Sequence, residues 1–245
     1  MLTVSEVPFF TVPYEVSSKL WIFPGAIVTA LFPLMAQRLT GARGSAETIF
    51  FSSMRTLFIF LFPAVLLLVC LSQIGLELWL GAEFSAKSTL VLQLLLAGVF
   101  INSLAMFPYA LLQGAGYPRV TAVIHLIELS LYVPLLLFML VEYGIEGAAL
   151  AWFLRVFLDM ALLIFWAGRY LDDFRDKLWR AFGLQLLALL TILCAIFIPQ
   201  WEVRAALLAG ISMLLIIYVS LIFRRLCRDH QRLDWPVVRR VMFGE

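Results

Sequence analysis

The chain has 245 residues, of which 63% are apolar and 14% are charged; its formal net charge is +2 and its mean hydropathy is +1.00. Soluble domains have about 25% charged and 45–50% apolar residues, so this chain has too little polar surface for a water-soluble protein. The composition predicts an integral membrane protein.

Cysteine and histidine spacing excludes two kinds of stabilising chemistry. Cys70, Cys194 and Cys227 stand far apart, and the first two lie in apolar runs, so no disulfide framework is expected. His125 and His230 are distant from every cysteine and from each other, which removes the usual zinc spacings. We therefore expect neither a metal nor a cofactor.

The first twenty residues, MLTVSEVPFFTVPYEVSSKL, do not resemble a secretory signal. They lack a basic start and an unbroken apolar centre, and two prolines interrupt them. We therefore expect no ordinary targeting element at this position.

The rest of the chain contains apolar runs that are long enough to cross a bilayer as helices, about twenty residues each. They are bounded by charged or turn residues, and they lie at about 20–37, 56–76, 89–112, 120–141, 147–168, 182–199 and 204–223. Continuous Leu, Ile, Val and Phe runs lack the two-residue alternation of a membrane β-barrel. The prediction is an all-α polytopic bundle of about seven spans over residues 1–223, followed by a basic tail at 224–245.

Lys and Arg in the connections predict the orientation of these spans. Fourteen of them lie in the tail and in the connections after the first, third and fifth spans, whereas only Lys19, Lys87 and Arg204 lie on the opposite side. Cytoplasmic connections are enriched in basic residues, so we expect a cytoplasmic C-terminus and an outside N-terminus. An outside N-terminus without a signal sequence favours either a fragment or a chain that relies on a partner for its first helices.

Four ionisable residues lie deep within the fourth and fifth spans: His125, Glu128, Arg155 and Asp159. Charges inside a membrane are costly and persist when they pair or face a wet cavity. Spacings of three and four place each pair on one helix face, and the short EYGIEG connection makes the two spans antiparallel neighbours. We therefore expect a single buried cluster.

Two interpretations of this cluster remain open. Arg155 neutralises the carboxylates and locks two helices together, or it faces a cavity and binds an anionic head group while a carboxylate or His125 carries a coupling proton. The turn QGAGYPR, residues 113–119, is predicted to be a plain connection, with Gln113 a weak candidate for lining the same cavity.

The tail segment FRRLCRDHQRLDWPVVRRVMF is predicted to anchor the cytoplasmic side and to contact anionic membrane lipids. It has no aromatic stacking platform and no known nucleic-acid motif, so nucleic acid is not an expected partner.

Three stretches carry a resemblance to a known family. VPYEVSSKLWIFPGAIVTALFPLMAQ, LQLLLAGVFINSLAMFPYALLQGAGYPRVTAVIHLIELSLYVPLL and YGIEGAALAWFLRVFLDMALL resemble the C-terminal half of Wzx-type oligosaccharide flippases. These proteins are part of the multidrug/oligosaccharidyl-lipid/polysaccharide exporter superfamily. The resemblance covers roughly residues 8–165, and HLIEL and AWFLRVFLD are its most specific segments.

The resemblance implies a function and a larger assembly. Such flippases have twelve to fourteen helices in two lobes, and they move undecaprenyl-diphosphate-linked oligosaccharide across the bacterial inner membrane by alternating access, with ion coupling. It places Arg155, Asp159, Glu128 and His125 at the family's charged positions. This chain lacks the first lobe and the helix that opens the second, so the missing lobe or polysaccharide assembly proteins are expected partners.

Three alternatives remain at this point. A multidrug exporter of the same superfamily would favour a cation site, which Arg155 opposes mildly. A membrane glycosyltransferase or polymerase needs loops with catalytic carboxylates, and the longest loops contain only Glu47, Glu77 and Glu83. The third alternative is an inactive or partner-dependent fragment. We expect a transporter rather than an enzyme.

Overall fold

The computed structural model describes residues 6–41 and 43–198, together with positions 203, 204, 206, 208–211 and 213. Regular structure in these residues is helical throughout, which confirms the predicted all-α class. The helices are α1 (Pro8–Ser18), α2 (Ile22–Gly41), α3 (Arg43–Leu80), α4 (Ala82–Gly114), α5 (Pro118–Tyr170) and α6 (Asp172–Phe197), and a 3₁₀ turn, Lys19–Trp21, joins the first two.

Among the described residues, four helical segments are long and apolar enough to cross a membrane. They are Glu47–Leu80, Ala82–Gly114, Pro118–Tyr170 and Phe174–Phe197. The first five predicted spans lie within described helices, apart from two residues of the first span that belong to the 3₁₀ turn, and the sixth overlaps α6. Most of the seventh span and the whole basic tail lie outside the described residues, so the number seven stays a prediction.

Helix α5 reverses direction at Gly144, within the predicted EYGIEG connection. Its 53 residues would extend about 80 Å as one straight helix. Gly144 instead has φ 59° and ψ −138°, a conformation that side chains with a Cβ rarely adopt. Side chains from its two halves then meet, since Arg155 Nε lies 3.7 Å from Glu128 Oε2. The fourth and fifth predicted spans are thus two arms of one helical hairpin, α5a (118–143) and α5b (145–170).

Helix α4 lies at the centre of the bundle and contacts α1, α2, α3, α5 and α6. Buried residues run along it from Ser85 to Leu112. Gly98 lies against the ring of Trp152 on α5b, where any larger side chain would overlap the indole. Small residues at such contacts let membrane helices approach closely. This packing holds α5b against the centre of the bundle.

Helix α5a, in contrast, exposes much of its apolar surface. Its exposed large apolar residues are Val123, Leu126, Ile127, Leu129, Leu131, Val133, Leu137, Phe138, Val141 and Tyr143. An apolar patch of this extent on a soluble monomer would be an interaction surface, whereas on a membrane helix it suits contact with lipid or another helix. The surface is that of a multi-pass membrane protein.

The connections that were predicted to be cytoplasmic meet at one end of the bundle. The rings of Tyr117 and Tyr170 lie 4.5 Å apart between centroids. Lys177 Nζ and Glu47 Oε1 form an ion pair of 2.6 Å. The helices therefore alternate in direction as the charge count requires, while the side of the membrane that this end faces stays a prediction.

The chain divides into two compact units, residues 1–201 and residues 202–245. Helices α1–α6 make up the described part of the first unit. The described positions of the second unit are helical.

Candidate functional site

Four ionisable side chains meet between the arms of α5, at the place where the sequence predicts one cluster. His125 and Glu128 come from α5a, and Arg155 and Asp159 from α5b. Counted along the helices, Glu128 lies about 15 Å from the start of α5a, and Asp159 lies about 17 Å from the end of α5b. The antiparallel arms therefore bring both carboxylates to a similar depth.

His125 and Glu128 connect the two arms. His125 Nδ1 lies 3.4 Å from Glu128 Oε2 and 3.8 Å from Asp159 Oδ1. Arg155 Nε lies 3.7 Å from the same Glu128 oxygen. These contacts are longer than strong charge-assisted hydrogen bonds: Arg155 and Glu128 form a loose ion pair, and the contact of His125 with Glu128 is a long hydrogen bond.

Burial divides the cluster into an inner and an outer part. The side chain of Glu128 is 1% exposed and that of Asp159 is 9% exposed, whereas those of His125 and Arg155 are 44% and 35% exposed. One oxygen of each carboxylate, Glu128 Oε1 and Asp159 Oδ1, is buried without a hydrogen-bond partner. Buried polar groups are usually paired, so these two acceptors could bind an additional donor or cation.

Two tyrosines flank the cluster, and the sequence analysis did not identify them. The Arg155 guanidinium lies 5.5 Å from the centre of the Tyr132 ring, one turn beyond Glu128. The Tyr109 ring, on α4, lies 5.7 Å from the His125 ring. Tyr132 could have been found from its spacing of four from Glu128, which places both on one helix face. Tyr109 depends on how α4 packs against α5a.

Gln113, the fifth candidate, makes a local contact. Its Nε2 donates a hydrogen bond of 2.8 Å to Thr121 Oγ1, whose hydroxyl donates in turn to the carbonyl of Pro118. Thr121 lies one turn before His125 on α5a. Gln113 thus ties the end of α4 to the start of α5a, and no described contact joins it directly to the four charged residues.

The cluster also contains donor atoms that a cation could use. One ligand atom each from His125, Glu128 and Asp159 lies within 4.8 Å of the others. All three residues belong to the cluster that the sequence predicts, where no metal site was expected. The positive charge of Arg155 beside Glu128 opposes the binding of a further cation at this position.

The chain is similar in sequence to a known transporter. A protein of Shigella flexneri named "Putative O-antigen transporter" is 37% identical to the chain over 168 residues. The identity confirms the resemblance to O-antigen flippases. The matched region is 68% of this chain but only 39% of that transporter. No protein-family model and no solved structure matches the chain.

The Shigella flexneri protein is named as a transporter, and four described helical segments of this chain are long and apolar enough to cross a membrane. The similarity does not test the role of any individual side chain.

Proposed function

We propose that the chain is part of a flippase that moves lipid-linked oligosaccharide across the inner membrane. In this proposal, the cluster of His125, Glu128, Arg155 and Asp159 lies on the transport pathway. The main support is the arrangement of the cluster. The partly exposed side chains of His125 and Arg155 lie against the buried carboxylates of Glu128 and Asp159. Each carboxylate has one buried oxygen without a hydrogen-bond partner.

Arg155 suits the recognition of an anionic substrate group. Its side chain is partly exposed, and among the described residues its ion-pair partner is a single carboxylate at 3.7 Å. A planar guanidinium stays charged and can donate two parallel hydrogen bonds to a phosphate or diphosphate. When it turns towards such a group, it leaves Glu128 without its positive partner.

That loss links substrate binding to protonation. Glu128 is buried, so its charge becomes costly once Arg155 turns away, and uptake of a proton removes the cost. His125 lies beside both carboxylates and is exposed enough to exchange protons with the surroundings. Alternation between these two arrangements would couple ion movement to the substrate, as alternating access requires.

Surface polysaccharide provides the test. In cells whose only O-antigen transporter is the protein that carries this chain, we expect Arg155→Ala to reduce surface O-antigen at least tenfold while the protein level stays normal. Arg119→Ala is the matched control, because Arg119 is exposed at the start of α5a and lies away from the cluster.

Arg155→Lys separates transport from a structural lock. Lysine retains a positive charge for Glu128 but cannot make the bidentate contact. Full transport by Arg155→Lys would favour the lock, as would loss of the Arg155→Ala protein itself from the membrane. Normal protein levels with impaired transport in both variants would support the pathway.

A further inference from the structure

Helices α3 and α6 form a groove of about 520 Å³ that is separate from the charged cluster. Its polar lining residues are Thr48, Ser52, Arg55, Lys177, Arg180 and Gln185. Its apolar lining residues are Phe51, Met54, Phe58, Ala181 and Leu184. None of the four cluster residues lines this groove, so it needs a separate explanation.

The charged and apolar parts of the groove follow the order of the chain. The ion pair of Glu47 with Lys177 shows that the starts of α3 and α6 lie together. Arg55 and Arg180 lie one and two residues before the predicted spans at 56–76 and 182–199, whereas Phe58 and Leu184 lie inside them. The groove therefore joins a basic rim at the membrane boundary to an apolar floor within the membrane.

Its positive charge is only partly neutralised. Lys177 is paired with Glu47, and among the described residues the hydrogen bond of Arg180 runs from Nε to the backbone carbonyl of Asp176. Within the described part of the chain, Arg55 has no ion pair. Two arginines at the level where lipid phosphates lie give the rim a charge complementary to an anionic headgroup.

A buried polar side chain in the groove also favours a phospholipid as the ligand. Gln185 is only 3% exposed, lines the groove, and has a carbonyl oxygen without a hydrogen-bond partner. The amide nitrogen of Gln185 makes no hydrogen bond within the described part of the chain, so its N–H donors are available to a ligand in the groove. Below a phosphate, the polar atoms of a phospholipid are ester carbonyls, which accept such hydrogen bonds.

We infer that this groove binds an anionic phospholipid of the bilayer, with its phosphate at Arg55 and Arg180 and an acyl chain along Phe58 and Leu184. Gln185 contacts the ester region between them. The bound lipid is not the transported substrate, and it fixes α6 against α3 at the basic end of the bundle.

Native mass spectrometry of the purified, delipidated chain in neutral detergent tests this inference. The probe is phosphatidylglycerol, titrated in parallel with zwitterionic phosphatidylcholine. We expect tighter binding of phosphatidylglycerol. The double variant Arg55→Gln/Arg180→Gln should weaken it about 25-fold, because each basic residue near a lipid phosphate contributes roughly a fivefold gain in affinity.

The control variant is Arg119→Gln/Arg169→Gln, which removes two exposed arginines at the same end of the bundle but outside the groove. It should retain phosphatidylglycerol binding. Gln185→Leu should weaken binding of both phospholipids, since each has ester carbonyls. An equal loss in the control variant, or equal affinity for both lipids in the unmodified chain, would overturn the inference.

Competition with undecaprenyl phosphate shows whether the groove prefers a bilayer phospholipid or the polyprenyl carrier. If it displaces phosphatidylglycerol at equal concentration and loses affinity in Arg55→Gln/Arg180→Gln, the groove binds the polyprenyl carrier and the assignment to a bilayer phospholipid is wrong. This experiment is independent of the cluster, because Arg155→Ala should bind phosphatidylglycerol as the unmodified chain does.

Discussion

Arg155 Nε and Glu128 Oε2 lie 3.7 Å apart, although the reversal at Gly144 separates their helical arms. Glu128 is fully buried, whereas Arg155 is partly exposed. The pair therefore has unequal partners: loss of the arginine removes a positive charge from beside a buried carboxylate, whereas loss of the carboxylate leaves a cation that the protein only partly encloses. This asymmetry gives a direct prediction.

We expect Arg155→Ala to destabilise the chain more than Glu128→Gln does. An unpaired buried charged group costs about 1–3 kcal/mol or more, and neutralisation of Glu128 avoids that cost. The double variant Arg155→Ala/Glu128→Gln should recover much of the lost stability. The midpoints of thermal unfolding of the purified proteins in detergent measure these differences.

The same double variant also distinguishes a lock from a transport pathway. If the pair only joins two helices, the restored stability should bring back surface O-antigen in the cellular assay. If Arg155 binds substrate, the double variant should be stable and still inactive. A double variant that is no more stable than Arg155→Ala would show that the two side chains do not interact energetically.

Gly144 provides a second prediction. Its φ of 59° and ψ of −138° lie where only glycine is comfortable, so Gly144→Ala should cost about 1–3 kcal/mol. Gly75→Ala is the control, because Gly75 lies in α3 with open space around the position of an added Cβ. It should leave stability unchanged or raise it slightly. Equal thermal unfolding midpoints for the two variants would contradict the proposed role of Gly144.

Much of this architecture could be predicted from local patterns. Apolar runs indicated the helices, EYGIEG contained the reversal, and spacings of three and four indicated which faces carry the charges. Helix α1 was missed, because Pro8 and Pro13 suggested an interrupted segment. In the structure, Pro8 occupies the first helical position, where its missing N–H costs nothing, and the helix continues through Pro13.

The spacing of residues could not predict which carboxylate pairs with Arg155. Arg155 could have reached Asp159 on its own helix face, and the structure pairs it with Glu128 instead. That outcome depends on side-chain rotamers and on the approach of α5a to α5b. The contact of Tyr109 with His125 likewise depends on how α4 packs against α5a, which the spacing of residues along one helix does not indicate. Such contacts are set by tertiary structure.

Close packing of Gly98 against Trp152 gives a third prediction. A Cβ at position 98 would overlap the indole ring, so Gly98→Ala should separate α4 from α5b and cost about 1–3 kcal/mol. Trp152→Leu should relieve part of that overlap, and the cost of the double variant should be smaller than the sum of the single costs. Thermal unfolding midpoints test this coupling. Gly183→Ala, which has open space on α6, is the control, and strictly additive costs would exclude the contact.

Gln93 provides the last prediction, at the buried contact between α3 and α4. Its Nε2 donates hydrogen bonds to the carbonyl of Val69 at 3.1 Å and to Ser72 Oγ at 2.9 Å. Hydrogen bonds between membrane helices contribute about 0.6 kcal/mol each on average, so Gln93→Leu should cost about 1 kcal/mol. Gln73→Leu, on the exposed face of α3, should cost less.

Ser72→Ala distinguishes the two hydrogen bonds of Gln93. Ser72 Oγ donates to the carbonyl of Val69 while it accepts from Gln93, so its removal leaves Gln93 with one acceptor on α3. Ser72→Ala should therefore destabilise the chain less than Gln93→Leu does. In a Gln93→Leu background, Ser72→Ala should cost only the stability contributed by the hydrogen bond from Ser72 to the Val69 carbonyl. If Ser72→Ala destabilised the chain more than Gln93→Leu, the serine rather than the glutamine would hold α3 and α4 together.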